Sequence, residues 1–454
     1  MKVLIIGMGR SGKCAMYALR DLGYEVAVQD SKKPEEADPE IKEYCEKKGI
    51  AMYFGTMPED FSSFDMMVLS PGVDPEKGFV LKAMEQGCEI VGELELAYRL
   101  ARGIFVGITG TNGKTTTTTL VGDIFMASGR KTNVVGNIGL PVISVAVDSK
   151  PDDWMITEVS SFQLQTVSQF RPKVSAILNL TPDHLNRHHT MEAYGEAKAA
   201  IWKNQEAGDY LIMNFDDPVL MKLCLEDIGR ELKATLVGFS RKTEPDIGAF
   251  LRGDMMMIRD EEGREFEIIY RNELRIPGDH NVENALAAAA ICFFSGIGLE
   301  TICKVLREFG GVEHRLEFVS DIDGVSYYND SKGTNTDASL IAIRALKENI
   351  ILIAGGDAKM QDFTEMAEEL AGPVKHVLLF GRDRGMIKEA MDKAGYTSYS
   401  EHKDLEECVR CASEMAVKGD KVLLSPACAS WDMYPNFEVR GRHFKECVEK
   451  LETK

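Results

Sequence analysis

Lys114, Thr115 and Thr116 follow the turn Gly110-Thr111-Asn112-Gly113, which itself follows the apolar run Ile104–Ile108. That order suits phosphate chemistry. Backbone N–H groups at a helix start surround phosphate oxygens, the lysine adds a point charge, and a threonine hydroxyl can hold magnesium. The match to the general pattern G-x-x-x-x-G-K-[ST] is imperfect, because Ile108 stands at the first glycine position and the spare glycine is Gly110. A second turn, Gly7-Met8-Gly9-Arg10-Ser11-Gly12, lies between the run Val3–Ile6 and a helical stretch, and Asp30 ends the next strand. This spacing reports a pyrophosphate cradled at a helix start and does not name the nucleotide. NAD and a UDP-sugar both supply that group.

Glu158 ends the apolar run Trp154–Glu158, and His184 follows another, Val174–Leu178. Oxygen and nitrogen groups at neighbouring strand ends beside a phosphate loop suit hydrated magnesium. Taken singly, each is as readily an ordinary polar residue. His184, His188 and His189 tempt a zinc reading, but no cysteine or H-E-x-x-H pattern accompanies them. Three further polar turns follow apolar runs: Asn329–Asn335, Gly355–Lys359 and Ser425–Ser430. Two of them carry lysine, which suits an anionic second substrate; plain connecting loops remain the alternative.

The elements that must position these residues restart three times. Strands are expected at Val3–Ile6, Glu25–Gln29 and Met66–Ser70; then at Ile104–Ile108, Trp154–Glu158 and Val174–Leu178; then at Gly324–Tyr328, Ile350–Ala354, Val377–Phe380 and Lys421–Leu424. Short apolar runs alternating with helical stretches predict doubly wound, mainly parallel α/β sheets. Arg241–Arg275 reads as irregular β structure, and Asn281–Gly296 as a buried alanine-rich helix. The expectation is an α/β chain of three domains: a Rossmann-like domain over residues 1–92, a central P-loop NTPase-like domain over 93–311, and a C-terminal Rossmann-like domain over 312–454.

The bulk properties narrow the field. The 454 residues allow about three domains of roughly 150 residues each. A net charge of −19 disfavours a nucleic-acid scaffold, which needs a basic face. The ten cysteines show no disulfide-framework spacing; the Cys408-x-x-Cys411 pair falls in a helix-like stretch and reads as ordinary helix cysteines, as in a reducing cytoplasm. No run approaches the roughly 18 apolar residues that a membrane span needs.

Taken together, these segments resemble the Mur ligases almost end to end, from Ile5 to Gly441. Thr109–Thr116 is similar to that family's variant of the phosphate loop, and Gly136-Asn137-Ile138-Gly139-Leu140-Pro141, Glu158–Leu164 and His280-Asn281-x-x-Asn284-Ala285 are similar to further family signatures. Among its members, the glycine turn and Ser70-Pro71-Gly72 look like those of the one that adds D-glutamate or of its L-alanine-adding relative, whereas Gly92–Leu96, the short phosphate loop and Leu423–Ser430 favour the former. The resemblance implies an ATP-dependent ligase working through an acyl phosphate, with UDP-N-acetylmuramoyl-L-alanine and D-glutamate as substrates. A sister ligase using another amino acid and, further off, an NAD-dependent oxidoreductase are the alternatives.

Residue by residue, the resemblance implies ATP contacts by Gly110, Thr111, Asn112, Gly113, Lys114, Thr115, Thr116, Asn284, Arg315, Asp330 and Lys332. It implies magnesium held by Thr115, Glu158, Asn137, His184 and Lys198, the last as a CO2-derived carbamate. Lys114, His184, Lys198 and Lys332 are the expected catalytic set. Gly9, Arg10, Ser11, Asp30, Ser31, Lys32, Gly72 and Asn137 match positions around the UDP substrate. His314, Thr334, Lys359, Ser430 and Phe437 match the D-glutamate pocket. Gly333 stands where alanine or serine is expected, a change expected to matter little, and Trp431 replaces a smaller apolar residue beside that pocket. The resemblance also implies a cytoplasmic monomer without nucleic-acid partner or membrane insertion.

Overall fold

A computed structural model describes residues 1–222, 232–358 and 361–452; Lys359 therefore lies outside the described residues. The chain divides into two compact units, residues 1–271 with 283–306, and residues 272–282 with 307–454. The first unit carries two sheets and the second carries one.

The first sheet contains β1 (Lys2–Ile6), β2 (Glu25–Asp30), β3 (Ala51–Phe54), β4 (Met66–Leu69) and β5 (Glu89–Gly92) in the order β3-β2-β1-β4-β5, all parallel. β1 is apolar throughout because helices cover both faces: Val3 and Ile5 pack into one core, Leu4 and Ile6 into another. The strand order reverses between β1 and β4, so the Gly7–Gly12 turn and Ser70–Gly72 open side by side.

The central sheet uses β6 (Ile104–Thr109), β7 (Thr132–Gly136), β8 (Trp154–Glu158), β9 (Val174–Ile177), β10 (Tyr210–Asn214), β11 (Thr235–Ser240), β12 (Gly248–Arg252), β13 (Met255–Arg259) and β14 (Glu265–Tyr270). Their order is β14-β13-β12-β11-β10-β9-β6-β8-β7. The reversal falls at β6, between β9 and β8, which sets the phosphate loop between Asn179–His184 and Glu158. The stretch read as irregular β structure is an antiparallel ribbon, β12 to β14, that extends this sheet and carries a register shift between Met255 and Met257. Arg252 in β12 reaches Glu265 in β14 at 2.8 Å and Glu244, in the connection before β12, at 2.6 Å.

The third sheet contains β15 (Glu317–Ile322), β16 (Val325–Asn329), β17 (Ile350–Gly355), β18 (Val374–Phe380), β19 (Tyr399–Glu401) and β20 (Lys421–Leu424) in the order β15-β16-β20-β17-β18-β19. Only β15 runs antiparallel to its neighbour. Strand β20 inserts between β16 and β17, so the three polar turns that follow these strands are neighbours. Cys408 and Cys411 lie on the helix Leu405–Met415, with Cys408 buried. Among the described residues no helix is long and apolar enough to cross a membrane.

Candidate active site

The phosphate loop leaves β6 and enters the helix Lys114–Ala127. Gly113 caps that helix at φ 81 with no side-chain cap, and the amides of a helix start are where an anion binds. A Cβ at Gly113 would lie 2.3 Å from Asn284 Oδ1, and that oxygen also accepts from Thr117 Oγ1 at 3.3 Å. Lys114 arches back over the loop and donates to the carbonyls of Gly110 (2.9 Å) and Thr111 (2.7 Å). Two residues absent from the expected set hold the loop. Asn179 accepts from the Asn112 amide at 2.7 Å and donates to its carbonyl at 3.0 Å, while the Thr181 carbonyl accepts from Thr111 Oγ1 at 3.1 Å. Their signal was their place at the end of β9, at the strand-order reversal.

Lys198 reaches the same loop from the helix Met191–Ala199, whose start is capped by Thr190. Its Nζ donates to the Gly110 carbonyl at 2.8 Å, lies 3.4 Å from Thr109 Oγ1 and sits 4.6 Å from the centre of the Tyr194 ring. The two lysines thus share one carbonyl. Lys198 is only 2% exposed. Burial first, and the Lys114 charge second, bring its amine down to about 7 from 10.5.

Glu158 ends β8 and is buried. Its Oε1 accepts from Asn137 Nδ2 at 2.7 Å, whereas Oε2 has no partner among the described residues. A buried carboxylate oxygen left alone costs on the order of 1–3 kcal/mol or more, so it calls for a cation or a donor. A carboxylate oxygen, the amide oxygen of Asn137 and the Thr115 hydroxyl are donors of the hard-oxygen kind that magnesium takes. His184 is half exposed, with φ 52, its ring 4.8 Å from that of Phe162 and its Nε2 3.4 Å from Asp183. His188, by contrast, is buried and bonded to Ser161 Oγ at 2.9 Å.

In the N-terminal turn, Gly9 precedes the helix Arg10–Asp21 and an added Cβ there meets nothing within 4 Å. At Gly12 the same atom would fall 1.9 Å from the Gly7 carbonyl oxygen. Asp30 accepts from the amides of Met8 (2.6 Å) and Lys32 (2.9 Å). One oxygen braces the glycine turn and the other the backbone just after Asp30, which weakens the ribose-binding role that a dinucleotide reading needs. Arg10, Ser31, Lys32 and Gly72 are exposed around this mouth and Ser11 is partly buried.

The second unit gathers the remaining expected residues except Lys359. Asp330 is buried, accepting from Ser425 Oγ at 2.7 Å and from the Leu316 amide at 3.1 Å. Burial pushes its carboxyl up to about 7 against these bonds. An added Cβ at Gly333 would lie 2.5 Å from Asp330 Oδ2 and 2.9 Å from Ser425 Oγ. That glycine is therefore not the neutral change expected from sequence: it leaves room for the Asp330–Ser425 pair. His314, buried with φ 66, meets Asn329 at 2.9 Å through Nδ1 and the Phe437 ring edge-on at 6.1 Å. Lys332 Nζ lies 6.0 Å from the Phe437 ring, Ser430 is buried, and the Thr334 carbonyl accepts from Gln361 at 3.3 Å. Arg315 is exposed, and Trp431 is 64% exposed. Arg440, fully buried and unforeseen, donates to the carbonyls of Ser331 (2.8 Å) and Cys428 (3.1 Å), tying two of the turns together.

These features define an α/β protein of three sheets, whose phosphate loop is flanked by a buried near-neutral lysine and a half-satisfied carboxylate. Family descriptions match in order along the chain: "Mur ligase MurD-like, N-terminal domain" over residues 1–92, "Mur ligase middle domain" over 108–292, and "Mur ligase, glutamate ligase domain" over 314–428. The chain belongs to the Mur ligase family. It is 47% identical over 456 residues to a UDP-N-acetylmuramoylalanine--D-glutamate ligase of Alkaliphilus metalliredigens, covering 99% of this chain and 98% of that one. It is 44% identical over 451 residues to the enzyme of that name from Clostridioides difficile, with the same coverage. Among solved structures, the fold is shared with UDP-N-acetylmuramate-alanine ligase MurC from Thermotoga maritima (TM-score 0.57, 19% identity, 99% of each chain). MurF from Acinetobacter baumannii also shares it (TM-score 0.57, 16% identity, 85% of this chain and 92% of that one).

Proposed function

We propose that this protein joins D-glutamate to UDP-N-acetylmuramoyl-L-alanine at the expense of ATP, in cytoplasmic synthesis of a cell-wall precursor. Full-length identity of 44–47% to ligases of that name supports the choice of substrates. The observation that carries the chemistry is the convergence of Lys114 and Lys198 on the Gly110 carbonyl. The reading assigns the UDP substrate to residues 1–92, ATP to 93–311 and the amino acid to 312–454, within a monomer.

The acceptor carboxylate attacks the γ-phosphate of ATP, forming the acyl phosphate and releasing ADP. A carboxylate is already ionised and needs no general base, so the residues position it and neutralise charge. The amides of Gly113–Thr116 and the Lys114 ammonium hold the triphosphate. Glu158, Thr115, Asn137, His184 and carbamylated Lys198 are the groups that would hold magnesium, which supplies charge neutralisation on the phosphates when bound. Lys198 suits carbamylation because about half of its buried amine is neutral near pH 7 and retains the lone pair that attacks CO2. The N–C bond forms, a proton leaves to solvent, and the neutral amine becomes an anionic oxygen ligand. The D-glutamate amine then attacks the acyl carbon and phosphate leaves; His184 accepts the proton that the amine sheds. Asn284, Arg315, Asp330 and Lys332 contact the nucleotide, while His314, Thr334, Lys359, Ser430 and Phe437 surround the amino acid.

Lys114→Ala tests this. The variant should remain folded by circular dichroism and lose ATP-dependent ligation; full activity would end the phosphate-loop reading.

A further inference from the structure

The loop from Gly136 to Pro141 is constrained from within. Its Gly136 amide donates to the Leu140 carbonyl at 2.9 Å, and a Cβ at Gly139 (φ 65) would lie 2.6 Å from the Val134 carbonyl oxygen. Such a loop moves as one piece, and it is held at three points. Asn137 is bonded to Glu158 through both its amide N–H (2.9 Å) and its side chain (2.7 Å). Arg10 donates to the Gly139 carbonyl. Glu93, in the helix Glu93–Leu100 that follows β5, accepts from the Ile143 amide at 2.8 Å, where the loop ends.

Glu93 is an expensive way to make that last contact. It is 3% exposed, no cation pairs with it among the described residues, and burial drives its carboxyl up to about 7 against the pull of the Ile143 and Val142 amides. An apolar side chain would avoid the desolvation penalty. What the carboxylate adds is direction: it fixes the exit of the loop on a helix continuous with the UDP-side sheet, while the entrance of the loop is fixed on Glu158.

We propose that Glu93 is a positioning residue, which holds the Gly136–Ile143 segment so that Asn137 meets Glu158 in register with the glycine turn that carries Arg10. It links the mouth of the first sheet to the carboxylate of the second without touching substrate. The kinetic part of its test rests on the ligase function proposed above; the exchange part does not.

Two measurements decide it. Hydrogen exchange is followed across residues 134–146 in Glu93→Ala and Glu93→Gln. Ligation is measured in Glu93→Ala, Asn137→Ala and the double variant. In Glu93→Ala, exchange from Asn137 to Ile143 should quicken about tenfold or more while the Lys114–Ala127 helix is unchanged. Its kcat should fall about tenfold, with the KM for D-glutamate within about twofold of the parent value. Glu93→Gln, which keeps an acceptor oxygen, should recover most of the protection. The double variant should be no slower than Asn137→Ala alone, because both changes break one linkage. Unchanged exchange in the loop, or losses that multiply in the double variant, would overturn the proposal. Should Glu93→Ala not fold, Glu93→Asp, which withdraws the carboxylate by one methylene, carries the same two outcomes. A parent protein without ligase activity would refute the proposed function and leave exchange to judge Glu93.

Discussion

Lys198 and Lys114 both spend a donor on the Gly110 carbonyl, and burial together with the Lys114 charge brings the Lys198 amine down to about 7, so that about half of it is neutral near pH 7. Lys198→Ala should be inactive and partly restored by formate or acetate, measured as phosphate release; no rescue would count against a carbamate there. Because the folded value is about 7, the amine becomes charged and unreactive toward CO2 as pH falls below that point. Stimulation of activity by added bicarbonate should therefore be larger at pH 6 than at pH 8. The same shift sets a stability slope. Between about 7 and 10.5 the unfolded chain keeps a proton that the folded chain has released, so stability rises with pH across that window; the cost of the buried amine is absent above about 10.5 and fully present below about 7. Thermal melts of Lys198→Met should show its largest gain over the parent at pH 6 and its smallest at pH 10. The carbamate was legible only through family resemblance. The near-neutral amine that favours it depends on burial, which no local pattern announces.

At the scale of elements, the two glycine turns make opposite demands. Gly12 is fixed by the Gly7 carbonyl and Gly113 by Asn284, whereas Gly9 faces open space. Gly12→Ala should cost about 1–3 kcal/mol or more in denaturant melts, since backbone rather than a flexible side chain must yield. Gly113→Ala should raise the KM for ATP with little effect on that for the acceptor, and equal effects on both would contradict the assignment of that turn. Strand positions were readable where parallel sheets demand continuous apolar runs: Trp154–Glu158 and Lys421–Leu424 fall where the sequence placed them. The pairing of the β12–β14 ribbon was not readable, because its alternation is interrupted by arginines and glutamates whose partners lie on other strands or in the connection before β12. Glu93 and Glu95 were visible merely as family marks. Glu95 accepts from the amides of Ser168, Gln169 and Phe170, more than seventy residues away, and such a partner leaves no local trace.

For the whole molecule, three sheets each deliver a polar turn from the carboxyl ends of strands where the order reverses, the usual ligand position in open α/β sheets. Those turns were legible as punctuation after apolar runs. What ties the third sheet's turns to one another was not: Arg440 ties Ser331 to Cys428, and Gly333 makes way for Asp330, through contacts that exist only after folding. The central claim is that the protein ligates two specific partners at the expense of ATP. Phosphate release, with chromatography of the UDP product, should be measured in the presence of ATP and magnesium while the acceptor and a panel of amino acids are varied. The account predicts release only when UDP-N-acetylmuramoyl-L-alanine and D-glutamate are both present, with one phosphate for each glutamate added. Release driven equally by another amino acid, or none with both partners present, would contradict it.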